Sequence, residues 1–124
     1  MNEPGAGITD ANLLERLLEA VPELKAEYEA ESRGERLGNH IVMGVVLYDH
    51  VLRRLRADRD DGGLRRIFDF IEQAAGGGDE KVANAVAVSF VYSLWSEGDA
   101  ASLERARRLM GKTTLSELQA IEDS

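Results

Sequence analysis

Two histidines are the residues of this 124-residue chain best suited to metal binding or acid–base chemistry. His40 and His50 are ten residues apart on one predicted helix, which rotates their side chains about 80° from each other. A helical pair that chelates one metal ion is spaced by four residues, and no carboxylate completes a known ligand spacing here. The sequence therefore predicts no metal site and no cofactor.

Tyr48 and Asp49 stand next to His50 and complete the one grouping that could serve an enzyme. Adjacent helical side chains diverge, however, and Asp49 is spaced four residues from Arg53, as in an ordinary surface ion pair. The chain has no cysteine and no G-x-S-x-G motif, and its glycine run at 76–78 lacks a Walker lysine. We expect no catalytic residue. The alternative is a small-ligand or enzymatic bundle using His40, Tyr48, Asp49 and His50.

Acidic residues outnumber basic ones by 23 to 15, which gives a formal net charge of −8. This charge disfavours nucleic-acid binding and suits a basic protein partner. The first residues lack the basic and apolar regions of a secretory signal, and no apolar run reaches the roughly 20 residues of a bilayer span. We therefore expect a cytoplasmic protein that does not bind membranes.

The charges are unevenly distributed. Glu23, Glu27 and Glu31 repeat at intervals of four on a predicted helix, forming either an ordinary solvated face or an attractive surface for a basic protein. A basic cluster follows, which is either a solvated helix end or a surface that binds an anionic partner or the acidic helix of a second copy in a homodimer. The cluster comprises Arg53, Arg54, Arg56, Arg59, Arg65 and Arg66.

Apolar residues recur at helical spacing along most of the chain, and no alternating strand pattern competes with them. Residues 1–8 are expected to form a flexible tail before a single domain over residues 9–124. The fold class is all-α, either a HEAT- or armadillo-like stack of helix pairs or an irregular bundle. We expect about seven helices, near residues 9–21, 22–32, 35–57, 64–75, 79–95, 103–110 and from 114 onwards.

Some side chains have expected roles in these helices. Asp61 is a candidate cap for the fourth helix, and Thr114 with Glu117 spells a capping box for the last. Gly38 and Gly44 each cost about 1 kcal/mol relative to alanine inside a helix, so we expect a neighbouring helix to approach closely there. One buried seam is expected on the third helix, made of Ile41, Val45, Tyr48, Leu52 and Leu55. Val42, Val46 and Leu47 are expected to widen this buried face.

The fifth predicted helix is apolar around its whole circumference. One side carries Val82, Val86, Phe90 and Ser93, and roughly the other side carries Val88, Val91 and Trp95. This distribution is typical of a helix packed by neighbours on most sides. We therefore expect this helix to be the central element of the fold.

Asn84 and Ser89 are polar positions within this apolar helix. A buried amide without a partner costs about 1–3 kcal/mol, so Asn84 is expected to bond the neighbouring turn. Ser89 is expected to bond the carbonyl of Ala85. The alternative places Asn84 with Asp79 and Glu80 at an exposed helix end that contacts a partner.

Residues 68–94, "FDFIEQAAGGGDEKVANAVAVSFVYSL", contain an F-x-F-I-E element, a Gly-Asp-Glu turn and an N-A-V-A-x-S-F helix. In these features the chain resembles a group of short, uncharacterised bacterial proteins that are all-helical and cytoplasmic. Some of them sit beside polymorphic toxin genes as candidate immunity proteins, and the group has no established activity. The matching positions are Phe68, Phe70, Ile71, Glu72, Gly78, Asp79, Glu80, Asn84, Ala85, Val86, Ala87, Ser89 and Phe90.

The acidic surplus, the lack of a catalytic grouping and the resemblance together predict a protein-binding module rather than an enzyme. Its expected form is an immunity protein that binds and neutralises a basic toxin, and a homodimeric helical scaffold is the alternative. The candidate partner-binding residues are Glu23, Glu27, Glu31, Asp79, Glu80 and Asn84.

Overall fold

A computed structural model describes residues 7–57 and 62–124, and within those ranges it contains seven helices and no strand. The predicted all-α fold is confirmed. Among these helices, none is both long and apolar enough to cross a membrane. The helices are α1 Leu13–Ala20, α2 Lys25–Ser32 after a 3₁₀ turn at Pro22–Leu24, α3 over 39–57, α4 Gly63–Gly77, α5 over 80–97, α6 Ala100–Leu109 and α7 Lys112–Glu122.

Helices α3 and α5 each contain one stretch of π-helix between two α-helical stretches. In α3 the π turn is Val42–Leu47, and in α5 it is Val86–Val91. The two π turns meet at Gly44, where an added Cβ would lie 3.1 Å from both Cβ and the carbonyl oxygen of Ser89. The expected close approach is thus confirmed at Gly44. It is wrong at Gly38, which precedes the first residue of α3 and has open space around it.

In the hydrophobic core, α4 packs against α1, α3, α5, α6 and α7. Phe68 of α4 meets Phe90 of α5 edge to face, with ring centroids 6.0 Å apart. Val86 and Phe90 are fully buried, as expected, and α5 packs against α3, α4 and α7, so the expectation that it is packed on most sides is confirmed. On its other side Val91 is also buried, but Val88 and Trp95 are exposed, so one apolar face of α5 is left uncovered.

The expected seam of α3 is wrong at its beginning. Tyr48 and the apolar residues after it are buried, and so are Val42, Val46 and Leu47, as expected, but Ile41 and Val45 are each 45% exposed. A π turn holds more residues than an α turn. Counting by an unbroken α period therefore misplaces the residues before the turn relative to those after it.

The N-terminal segment and the start of α6 also depart from expectation. Ile8, which the sequence places in the tail, is buried in the core, and its carbonyl accepts a hydrogen bond from the backbone N–H of Asp79. Helix α6 begins at Ala100 because the Asp99 side chain caps it by accepting from the N–H of Ser102. The predicted cap of α4, Asp61, lies outside the described residues.

Helix α7 begins at Lys112 and is capped from another helix rather than by its own capping box. The carboxylate of Glu72, on α4, accepts hydrogen bonds from the backbone N–H groups of Thr113 and Thr114, at 2.7 and 2.9 Å. It also accepts from the Thr114 hydroxyl at 2.7 Å. The expected pairing of Thr114 with Glu117 is therefore wrong, because the backbone N–H of Thr114, to which a capping box directs the Glu117 carboxylate, donates to Glu72 instead.

Candidate protein-binding surface

The predicted acidic row faces the basic cluster of its own chain. Oε2 of Glu23 lies 3.6 Å from Nη2 of Arg66 and 3.9 Å from Nη2 of Arg54. Glu27 forms an ion pair with Arg53. The contact that the sequence suggested between two copies is thus made within one chain. Glu23 and Glu27 hold α2 and the turn before it against the rest of the fold, and their role in binding a partner stays a prediction.

His50 is buried, with 5% of its surface exposed, and connects two of these charged groups. Its Nδ1 atom lies 2.6 Å from Oε2 of Glu27, and Nε of Arg54 donates to its Nε2 atom at 3.2 Å. Because Nε2 accepts, Nδ1 carries the proton and donates to Glu27. Both ring nitrogens of His50 are therefore already hydrogen-bonded within the fold.

His40 is exposed on the first turn of α3, and its Nδ1 atom lies 2.6 Å from the hydroxyl oxygen of Ser89. This bond corrects the expectation that Ser89 bonds back to Ala85. The two histidines thus make separate contacts, with α5 and α2 respectively. In residues 7–57 and 62–124, no three His, Asp or Glu side chains are arranged to hold a metal ion.

Asp79, Glu80 and Asn84 lie in and just before the first turns of α5, and all three are exposed. Asp79 caps the helix by accepting from the N–H of Val82 at 2.9 Å, and it also accepts from the N–H of Asp10 at 3.0 Å. These hydrogen bonds hold the pKa of Asp79 below its usual range. Asn84 is not the buried amide that was expected. It belongs to the exposed group, whose binding role stays a prediction.

The main feature that the sequence did not predict is an exposed apolar strip on α3 and α5. Its five residues expose between 40 and 54% of their surface and lie on the two helices that touch at Gly44 and Ser89. Two of them are in ring contact, with 5.7 Å between the ring centroids of Tyr92 and Trp95 and their planes tilted by 49°. The strip consists of Ile41, Val45, Val88, Tyr92 and Trp95.

The apolar strip continues into a groove between α5 and α7. The groove has a volume of about 430 Å³. One ionisable carboxyl lies among its apolar residues, that of Glu117, whose Oε1 atom is buried with no hydrogen-bond partner in the described chain. Burial, and then the charge of Glu72, raise the pKa of Glu117 to about 7. The lining residues are Ala87, Val88, Tyr92, Glu117, Ala120, Ile121 and Ser124.

An acidic cleft of about 620 Å³ adjoins the strip at Val45. Tyr48 lines it with 8% of its surface exposed, and its buried hydroxyl has no partner in the described chain. Burial raises the pKa of Tyr48, and the charge of Glu97 raises it further. Tyr48 and Asp49 thus share this cleft, and neither histidine lines it. The charged lining residues are Glu27, Glu31, Asp49, Glu97 and Arg53.

Residues 14–123 match the family model described as Domain of unknown function (DUF7674). The chain belongs to this family. The match begins within α1 and extends past the end of α7, so the DUF7674 domain contains both the apolar strip and the acidic cleft. No curated protein and no solved structure matches the chain. Membership of DUF7674 confirms the resemblance to an uncharacterised family.

Proposed function

We propose that this DUF7674 chain is a protein-binding module whose apolar strip and acidic cleft together bind a basic protein. The specific form we propose is a cytoplasmic immunity protein that neutralises a basic toxin, without catalysis of its own. The observation that carries the proposal is the apolar strip, because uncovered apolar side chains that are clustered rather than scattered mark interaction surfaces.

The residue types of the strip support a protein partner. Trp and Tyr are enriched among the residues that dominate the binding energy of protein interfaces, and the rings of Tyr92 and Trp95 contact each other at one end of the strip. Rigid aromatic side chains lose little conformational entropy when they bind. Their position on a helix, rather than on a loop, holds this surface ready for a partner.

The charges beside the strip support a basic partner. An interface typically has an apolar centre and a polar rim, and here Val45 belongs to the strip while Asp49 and Glu97 lie beside it in the acidic cleft. Such charges accelerate association with a protein of opposite charge and exclude acidic competitors.

The proposal is tested by co-expressing the chain with the product of the adjacent gene and measuring both growth and complex formation. Trp95→Ser is expected to weaken binding by about 2 kcal/mol, roughly 30-fold in Kd, and to abolish protection from a toxin. Lys81→Ser, an exposed change earlier on the same helix, serves as the matched control and is expected to bind as the wild type does. Circular dichroism confirms that both variants fold.

Equal binding by the Trp95→Ser variant and the wild type would overturn the proposal. So would a dimer in solution that Trp95→Ser converts to a monomer, because the strip would then be the interface of a homodimer rather than a surface for a foreign protein.

A further inference from the structure

We propose that the groove between α5 and α7 receives an apolar side chain of the bound protein, with the carboxyl group of Glu117 in its neutral form. Binding then takes up a proton, so the complex weakens as the pH rises. This inference rests on the proposed function, since it names how binding at that same surface is regulated. It is carried by the position of the groove, its lining and the surroundings of Glu117.

The groove belongs to the same uncovered surface as the apolar strip. Val88 and Tyr92 are members of the strip and also line the groove, so a partner seated on the strip adjoins the groove directly. Ala87 and Val88 lie in the π turn of α5, and such turns are frequent at functional sites. The groove volume of about 430 Å³ is in the range of sites that bind small molecules, so one side chain of a partner can enter it.

The lining of the groove favours an apolar occupant. Of the described residues that line it, Glu117 is the only acidic or basic one. Its Oε1 atom is buried, so a cation in the groove could not reach that oxygen. Ala87 and Ala120 are small and leave space between Val88 and Ile121 for an aliphatic side chain. Such a side chain therefore fits the groove better than a basic one does.

The surroundings of Glu117 favour its neutral form. Burial raises the pKa of Glu117, and the charge of Glu72, on α4, raises it further, to about 7. From α5, Tyr92 and apolar residues line the groove. On α7 itself, Glu122 follows Glu117 and is paired with Arg107 of α6. No described cation therefore offsets the burial of the Glu117 carboxylate.

An occupant of the groove removes water from the Glu117 carboxyl group, whose Oε1 atom has no hydrogen-bond partner in the described chain. Loss of water disfavours the charged form, so binding raises the pKa of Glu117 above its value in the free protein. The affinity is therefore full below pH 7 and is lost as the pH rises through the free value. If the filled groove favours the neutral form about tenfold more than the empty groove does, Kd is about fivefold weaker at pH 8 than at pH 6.

The test is a titration of the methyl-labelled full chain with N-acetyl-leucine amide at pH 6 and pH 8, followed by NMR. This probe is neutral and carries an aliphatic side chain, and N-acetyl-asparagine amide, of similar shape but polar, is the control. The leucine probe is expected to cause saturable shifts at the methyl groups of Val88, Ala120 and Ile121, with a Kd about fivefold weaker at pH 8. The asparagine probe is not expected to bind.

Three variants of the chain separate the role of Glu117 from a structural one. Glu117→Gln has the shape of the neutral residue and is expected to bind the leucine probe with the same Kd at both pH values. Glu122→Gln removes a carboxylate from the same helix outside the groove and is expected to keep the pH dependence of the wild type. Ala120→Leu, at an exposed position, fills the groove and is expected to weaken the probe about tenfold at both pH values. Circular dichroism at each pH confirms that the variants are folded.

An equal Kd of the wild type at pH 6 and pH 8 would overturn the inference, and so would an unchanged pH dependence in the Glu117→Gln variant. Tighter binding of N-acetyl-lysine amide than of the leucine probe at pH 8 would also overturn it, because the groove would then receive a basic side chain.

The two proposals fail separately. If the leucine probe does not enter the groove while Trp95→Ser still weakens partner binding, only the inference about the groove is overturned. If the probe binds with the expected pH dependence while Trp95→Ser leaves partner binding unchanged, the proposed function is overturned.

Discussion

Nδ1 of His50 lies 2.6 Å from Oε2 of Glu27, so a carboxylate predicted to attract a partner holds a buried histidine of its own chain. The side chain of Glu27 is 31% exposed and that of His50 is 7% exposed, so this bond is shielded from water on the histidine side. It joins α2 to α3 beneath the surface on which Glu31 is exposed.

Replacement of Glu27 by alanine is expected to lower the free energy of unfolding by about 2 kcal/mol, because it leaves the buried Nδ1–H of His50 without its acceptor. The measurement is urea denaturation at pH 7. The matched control is Glu31→Ala, one turn further along α2, where the side chain is exposed and a change within about 0.5 kcal/mol is expected. Equal losses in the two variants would contradict the role assigned to this hydrogen bond.

A change of Gly44 to alanine is expected to destabilise the fold by about 1–3 kcal/mol, despite the better helix propensity of alanine. The added Cβ would lie 3.1 Å from the backbone carbonyl oxygen of Ser89, which cannot move without shifting α5. Gly38→Ser is the control, since that position has open space and precedes the first turn of α3, where serine is favoured. A stable Gly44→Ala variant would show that the two helices can separate at little cost.

Glu72→Gln is expected to destabilise the protein by about 1–3 kcal/mol at pH 7, because it weakens the hydrogen bonds that begin α7. Burial alone would raise the pKa of Glu72, but the hydrogen bonds from Thr114 and Thr113 outweigh it and hold the pKa below 4.5. Since the folded pKa is depressed, this contribution is present above pH 4.5 and is lost as the pH falls through the folded pKa. Asp69→Asn, an exposed change on the same helix, is the control and is expected to be neutral.

Glu117→Gln is expected to have the opposite pH dependence. The pKa of Glu117 is raised from 4.5 to about 7 in the folded protein, first by burial and then by Glu72. The folded state therefore binds this proton more tightly than the unfolded chain, and its stability falls as the pH rises between those two values.

Glutamine carries no charge, so the Glu117→Gln variant should match the wild type at pH 4.5. At pH 8 it should exceed the wild type by about 1 kcal/mol, after allowance for solvent screening of a half-buried group. Thermal unfolding at the two pH values measures this difference. Glu122→Gln on the same helix loses a pair with Arg107 and is not expected to gain stability at pH 8.

Much of the fold could be predicted from apolar spacing. The burial of Val86 and Phe90 follows from their spacing of four on an uninterrupted apolar run, and Asp79 is recognisable as a helix cap from its place after three glycines. The contacts of α2 could not be predicted in this way. The spacing of Glu23, Glu27 and Glu31 shows that they share a face, but it does not show which other helix that face meets.

The candidate site was missed for a different reason. An apolar residue on a helix is assigned to the core unless something indicates otherwise, and Val88 and Trp95 look no different in sequence from Val91, which is fully buried. The π turns in α3 and α5 break the α period on which such assignments rest. The glycine at position 44 was the one available sign that α3 meets α5 unusually closely.

The π turns also determine where this chain tolerates a change of length. In a regular α-helix each residue adds about 100° of rotation, so a deletion there turns one part of the helix relative to the other. A π turn holds about one residue more than an α turn, so deleting one residue from Val42–Leu47 would restore regular winding and leave Ile41 and Tyr48 on nearly the same faces. Across relatives of this domain, single-residue deletions in α3 and α5 should therefore concentrate in these two turns.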